Sequence, residues 1–200
     1  MVPVRDAMLS FMPMVDLGSL AQERIRPLRR AEYDKLVALG HFEDERIELL
    51  AGVLVEMSPQ GVAHSHAVRK LTELFVLGLR GRGALSPQLP LALSDDSEPE
   101  PDIVVSPPGE YTEDHPSEAL LIVEVAESSL RKDRRIKGLL YSAARVPEYW
   151  IVNLVDRVVE IHRDPQPEGY ATIARVGRGE TVAPLRFPDL AIRVDDILPA

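Results

Sequence analysis

The chain has 200 residues, of which 32 are acidic and 23 basic, for a formal charge of −9; 45% are hydrophobic, 28% are charged and none is cysteine. These are globular values for a single domain with a core of its own, and they exclude wholesale disorder. The missing cysteines exclude disulfides, thiolate nucleophiles, iron–sulfur clusters and cysteine-held zinc, and they agree with an expected cytoplasmic location.

No stretch approaches the roughly 18 uninterrupted apolar residues of a membrane span. Residues 1–27 contain Met8, Leu9, Phe11, Met12 and Val15, but Asp6 and Pro13 interrupt them, so the segment reads as a weakly ordered arm. Residues 28–200 read as one domain. Arg29 to Leu39 predicts a short helix, with Tyr33, Leu36 and Val37 on one stripe and Gly40 placed to stop it. RIELLAGVLVEMSP predicts two strands joined at Ala51-Gly52, because Ile47/Leu49 and Val53/Val55/Met57 alternate with period two. A helix from about Val62 to Leu79 follows Gly61. It carries His64, Val68, Leu71 and Phe75 on its inner face and His66 toward solvent.

Residues 81–102 read as turn-rich and include the acidic run Asp95, Asp96, Glu98, Glu100 and Asp102. Two apolar strands, IVVS and ALLIVEVA, are separated by a loop of Pro, Gly and acids. Ser128 or Ser129 can cap a helix from about Leu130 to Arg145, and Pro147 follows its end. YWIVNL and VVEIHR read as a hairpin hinged at Val155-Asp156, and YATIARV and LAIRV supply further strands. Together these elements predict an α/β (α+β) fold: a mixed central sheet flanked by helices, with an added β-meander.

The acids inside apolar strands carry the chemistry. In ALLIVEVA both faces are apolar, as in a buried central strand, yet Glu124 sits near its end. A carboxylate there loses hydration at a cost of several kcal/mol unless a partner compensates. If this strand pairs antiparallel with the one opened by Asp102, the two acids fall opposite each other, where like charges destabilise a sheet. A shared proton, a cationic side chain or a divalent metal would resolve the conflict, and two oxygen ligands suit Mg²⁺ or Mn²⁺. A simpler resolution pairs Glu124 with a buried arginine and leaves Asp102 to cap a turn. Along the next helix an apolar face of Ile136, Leu139, Leu140, Ala143 and Ala144 is expected. Lys137 lies at its border, with Asp133 one turn before and Tyr141 one turn after. A border lysine can reach over the sheet edge to stabilise developing charge or orient water; as a surface group it would pair with Asp133.

The ordered set PDIVV, LIVEVAESSL and KGLLYSAARVPEYWIV, with IELLAGVLVEMSPQGVAH upstream, resembles the Uma-two family of restriction-endonuclease-like proteins in the PD-(D/E)xK nuclease superfamily. The resemblance runs from about residue 30 to the C-terminus. It implies a restriction-endonuclease-like sheet with a Mg²⁺-type site at its edge, Asp102 as the acid of the PD element and Glu124 as the acid of (D/E)xK. It also implies a supporting role for Glu48 and aligns His64 with the histidine after the M-S-P segment. One position departs from the pattern: Ala126 stands where the lysine is expected, so Lys137 would have to replace it.

The implied function is a divalent-metal-dependent endonuclease acting on DNA. Asp102 and Glu124 would hold Mg²⁺ or Mn²⁺, with Glu48 and Lys137 in the catalytic set and His64 and Tyr141 as support. Arg131, Lys132, Arg134 and Arg135 would supply a local basic patch for the polyanion, since local patches outweigh the negative total. A homodimer, formed through the exposed strands after Pro147, would concentrate such patches. The alternative is a non-catalytic binding or scaffold protein on the nuclease fold, motivated by Ala126 and the net acidity. A hydrolase of another phosphate ester is a third reading. No phosphate-binding glycine motif and no G-x-S-x-G is present, and the scarcity of aromatics argues against a glycosidase pair.

Overall fold

A computed structural model describes residues 26–199. Most of the arm expected over residues 1–27 lies outside the described residues. Helix α1 (Arg30–Ala38) precedes the hairpin of β1 (Ile47–Leu50) and β2 (Val53–Glu56), which turns through Ala51 and Gly52, both at positive φ. Helix α2 (Val62–Leu79) ends at Arg80 in the left-handed conformation. Strands β3 (Ala84–Pro87), β4 (Ile103–Ser106), β5 (Leu121–Ala126), β6 (Glu148–Asn153), β7 (Val158–Gln166) and β8 (Gly169–Val176) form one sheet in chain order. Only the β5–β6 pair is parallel, so the sheet is mixed. The short β9 (Thr181–Val182) and β10 (Ile192–Arg193) pair with each other, and α5 (Val194–Ile197) closes the described chain. No described helix is long and apolar enough to cross a membrane.

A parallel pair needs a crossover, and a composite helix supplies it between β5 and β6. It runs as α3 (Leu130–Lys132), a π-helical turn (Asp133–Lys137) and α4 (Gly138–Ala143). One sheet face packs Val123, Val125, Trp150, Val152 and Val159 against Val68, Leu71 and Phe75 of α2. The other packs Ile122, Tyr149 and Ile151 beneath Tyr141 of α4. Both faces of β5 are covered, which is why all six of its residues are buried.

Three expectations are corrected. The turn-rich stretch contains β3, which pairs antiparallel with β4 despite ending at Pro87, a residue tolerated there because β3 is the edge strand. The composite helix presents the opposite face to that expected: Ile136 and Leu139 are 46% and 45% exposed, while Asp133, Lys137 and Tyr141 are buried. Apolar periodicity misleads here because the inward face is held by ion pairs and hydrogen bonds to buried acids. The strands after Pro147 are not an exposed pair. β6 lies inside the sheet with all six residues buried and Trp150 fully enclosed, so the edge on that side of the sheet, opposite β3, is β8.

Candidate active site

Pairing of Ile103 with Val123 continues by one position to place Asp102 opposite Glu124, the antiparallel register anticipated from the sequence. Asp102 is held on three sides. Its Oδ2 accepts from the backbone N–H of Val125 at 2.8 Å and lies 3.0 Å from His64 Nε2, and its Oδ1 accepts from Gln88 Nε2 at 3.3 Å. Glu124 Oε1 accepts from Lys137 Nζ at 2.9 Å and from the Tyr141 hydroxyl at 2.8 Å, whereas Oε2 accepts no hydrogen bond among the described residues. Glu48, on the fully buried β1, accepts from Lys132 Nζ at 2.8 Å, and Lys137 Nζ lies 2.8 Å from its other oxygen. Lys137 therefore bridges Glu48 and Glu124 from within the π turn, and such turns recur at functional sites.

Charge does not balance in this cluster. Glu48, Asp102, Glu124 and Asp133 are all buried and face the ammonium groups of Lys132 and Lys137. Burial pushes the Glu124 carboxyl up to about 8, with Asp133, Asp102 and Glu48 adding to the effect against Lys137. Burial likewise raises Asp133, in spite of Lys137 and the Ser129 hydroxyl that donates to it at 2.6 Å. Burial opposes the charge on Lys137, but Glu124, Glu48 and Asp133 outweigh it and hold the ammonium above its ordinary value. Glu48 goes the other way: burial would raise it, and the two lysines bring it down.

Asp102, Glu124, His64, Lys132, Asp133 and Lys137 line one small cleft of about 60 Å³, open to solvent at its mouth. The donor set fits a hard divalent cation. Two carboxylates face each other across a strand pair, Glu124 keeps an unused oxygen, and the negative charge exceeds what the lysines neutralise. Among the described residues no three His, Asp or Glu side chains form a closed cage. Mg²⁺ retains several waters and needs only one or two protein carboxylates, and Asp102 and Glu124 are the residues that could supply them.

The structure brings Asp102, Glu124, Lys137, Glu48, His64 and Tyr141 together. His64, which the sequence places on the helix's inner face, sits against Asp102. The arginine partner considered for Glu124 is a lysine. The expected basic patch is partly consumed: Lys132 pairs with Glu48, and Arg134 donates through Nε to Glu160 at 2.9 Å. Arg131 and Arg135 are exposed and form no ion pair among the described residues. Two members escaped the sequence. Gln88 sits at φ 52°, a conformation that side chains other than glycine rarely adopt, and nothing in its turn-rich context marks it. Asp133 showed only as a spacing partner of Lys137.

A family model described as "Uma2: Putative restriction endonuclease" matches residues 30–195. No curated protein matches the chain. Among solved structures, a "putative nuclease belonging to DUF820" from Anabaena variabilis ATCC 29413 is 16% identical, with a TM-score of 0.64 over 86% of this chain and 97% of that one. At that identity the likeness is one of fold. The type IIG restriction endonuclease BpuSI is 18% identical over 64% of this chain and 15% of its own, with a TM-score of 0.38.

Proposed function

From the premise that the chain belongs to the Uma2 family of restriction-endonuclease-type proteins, we propose that it is a divalent-metal-dependent endonuclease hydrolysing DNA phosphodiester bonds. The observation that carries this reading is the opposed pair Asp102 and Glu124, set in a cleft whose acids outnumber its cations. Asp102 and Glu124 would hold the metal, which when bound supplies Lewis-acid activation of water and of the scissile phosphate. The Val125 N–H, His64 and Gln88 fix the Asp102 carboxylate, so it needs little reorganisation on loading. Lys137, already in contact with Glu124, takes the place left by Ala126 and stabilises charge developing on the phosphate. Glu48 is a positioning residue, because both its oxygens are engaged by lysines. The Tyr141 hydroxyl orients Glu124. Exposed Arg131 and Arg135 would meet the DNA backbone, giving strongly salt-dependent binding. A homodimer would double these contacts, and light scattering tests for it.

Plasmid nicking with Mg²⁺ or Mn²⁺ is the direct test. Turnover is expected in the wild type and is lost in Asp102→Asn; nicking unchanged in that variant overturns the assignment. One observation favours a second reading, a non-catalytic DNA- or protein-binding role: Lys137 is tied to two carboxylates. That reading predicts binding indifferent to divalent metal and no turnover under any metal.

A further inference from the structure

The two edges of the six-strand sheet are built differently. Strand β3 is four residues long, ends at Pro87 and lies beside α2, features that keep an edge from pairing further. Strand β8 has none of them. It runs eight residues without proline or lysine and pairs only with β7. Among the described residues no turn or loop backbone bond reaches it, and Ala171 to Arg175 are exposed in an unbroken row. Its one charged residue, Arg175, turns its guanidinium back to Glu160 and Asp156. An apolar patch adjoins this edge. Ile173, 58% exposed, pairs with His162, whose ring packs on Tyr149, so it stands on the sheet face that the composite helix covers. Leu139 of α4 lies over Gly169 of β8, and Leu139 and Ile136 form the apolar stripe that the helix turns outward.

We propose that β8 is the interface between two copies of this chain, joined antiparallel about a two-fold axis through Ile173 into one continuous sheet. Charge complementarity singles out a second copy and this register. Glu168 is exposed at one end of β8, and the exposed Arg178, which also touches Asp195 and the Pro199 carbonyl, lies just beyond the other. Pairing centred on Ile173 sets Glu168 of each copy against the partner's Arg178. A slide of one pleat in one direction would oppose Glu168 to Glu180, a like-charge pair, and in the other direction to Val176. Ile173 would meet its own copy, with Leu139 and Ile136 of both copies closing over the pair. Such an interface is isologous, and it removes the open edge and covers the outward stripe together. The proposal supplies a surface for a homodimer and rests on the sheet edge, not on nuclease chemistry.

Sedimentation equilibrium of the full chain from about 1 to 100 µM tests it, with a dimer of Kd below about 10 µM expected. Ile173→Lys should weaken association about tenfold or more, with circular dichroism as the check on folding. Glu168→Arg and Arg178→Glu should each weaken it about tenfold, and the two together should restore it to within about threefold of the wild type. If Ile173→Lys does not fold, the charge reversals decide. A wild type that is monomeric at about 100 µM overturns the proposal and leaves the edge to a strand of another protein. A dimer that Ile173→Lys and both single reversals leave intact also overturns it, because another surface then joins the copies. No readout involves metal or turnover, so failure here is distinct from failure of the nuclease reading.

Discussion

Two buried glutamates stand in one row of the sheet, since Glu124 pairs with Ile151 and Ile151 with Glu160, and the same composite helix supplies a cation to each. At Glu160 the account closes. Arg134, Arg175 and Asn153 donate to both its oxygens, and although burial opposes ionisation, these donors hold the carboxyl below its ordinary value. At Glu124 one oxygen is used and the other is not, three further acids stand nearby, and the carboxyl is pushed up. Similar residues under one helix thus make a finished structural ion pair in one place and an incompletely paired cluster of acids in the other. Strongly perturbed groups that local partners fail to satisfy mark function better than buried charge as such.

That contrast can be broken by experiment. The largest expected difference is catalytic: Glu124→Gln and Asp102→Asn should lower metal-dependent nicking about 10³-fold or more, roughly 4 kcal/mol of transition-state stabilisation. Glu160→Gln should keep the rate within about threefold. Equal losses in all three would show that Glu124 matters only for folding.

Stability should run in the reverse order. Glu160→Ala is expected to cost about 1–3 kcal/mol in chemical denaturation, because it removes an acceptor of the buried Asn153 amide and leaves Arg134 and Arg175 only Asp156. Glu124→Gln in metal-free buffer should stay within about 1 kcal/mol, since it removes a charge that its surroundings disfavour. Metal should then separate the two nodes in the intact fold. Mg²⁺ or Mn²⁺ at about 100 times its Kd should stabilise the wild type and Glu160→Gln by about 2.7 kcal/mol. The same addition should leave the thermal midpoint of Asp102→Asn unmoved.

The smallest effect is one of pH, and it sets Glu98 against Glu160. Burial chiefly, with Asp34 and Glu100 helping against Arg30, raises Glu98 to about 7, so the folded state binds its proton more tightly than the unfolded chain does. Its contribution is fully present below about pH 4.5 and declines as pH rises through about 7, by roughly 1–2 kcal/mol. Glu160, with its lowered value, contributes above the unfolded carboxylate range and loses that contribution as pH falls through its folded value. Denaturation midpoints between pH 5 and 8 should therefore slope less in Glu98→Gln than in the wild type, while Glu160→Gln should alter only the acid limb. An unchanged slope in Glu98→Gln would assign the raised carboxyl elsewhere.

Much of this was legible in local pattern. Period-two alternation located β1 and β2, apolar runs marked β4 and β5, a hairpin pattern marked β6 and β7, and the four-three spacing on α2 marked the face that packs on the sheet. Asp102 and Glu124 could be placed opposite each other only by assuming that their strands pair antiparallel with the start of one against the end of the other, and the structure has that register. Strand β3 was hidden by Pro87, Gln88 and the turn residues around them. The orientation of the composite helix was hidden because Ile136, Leu139 and Ala143 form a convincing apolar stripe that the structure turns outward.

The sequence by itself determined most of the elements and the two acids that do not belong in apolar strands, because each of these depends on residues near one another in the chain. Only the tertiary structure decided which face of the crossover helix is buried and which cation meets which acid. Glu48, Asp102, Glu124 and Lys137 come from three strand regions and a helix, and the desolvation that makes their pairing consequential exists only once the sheet and helices have closed around them.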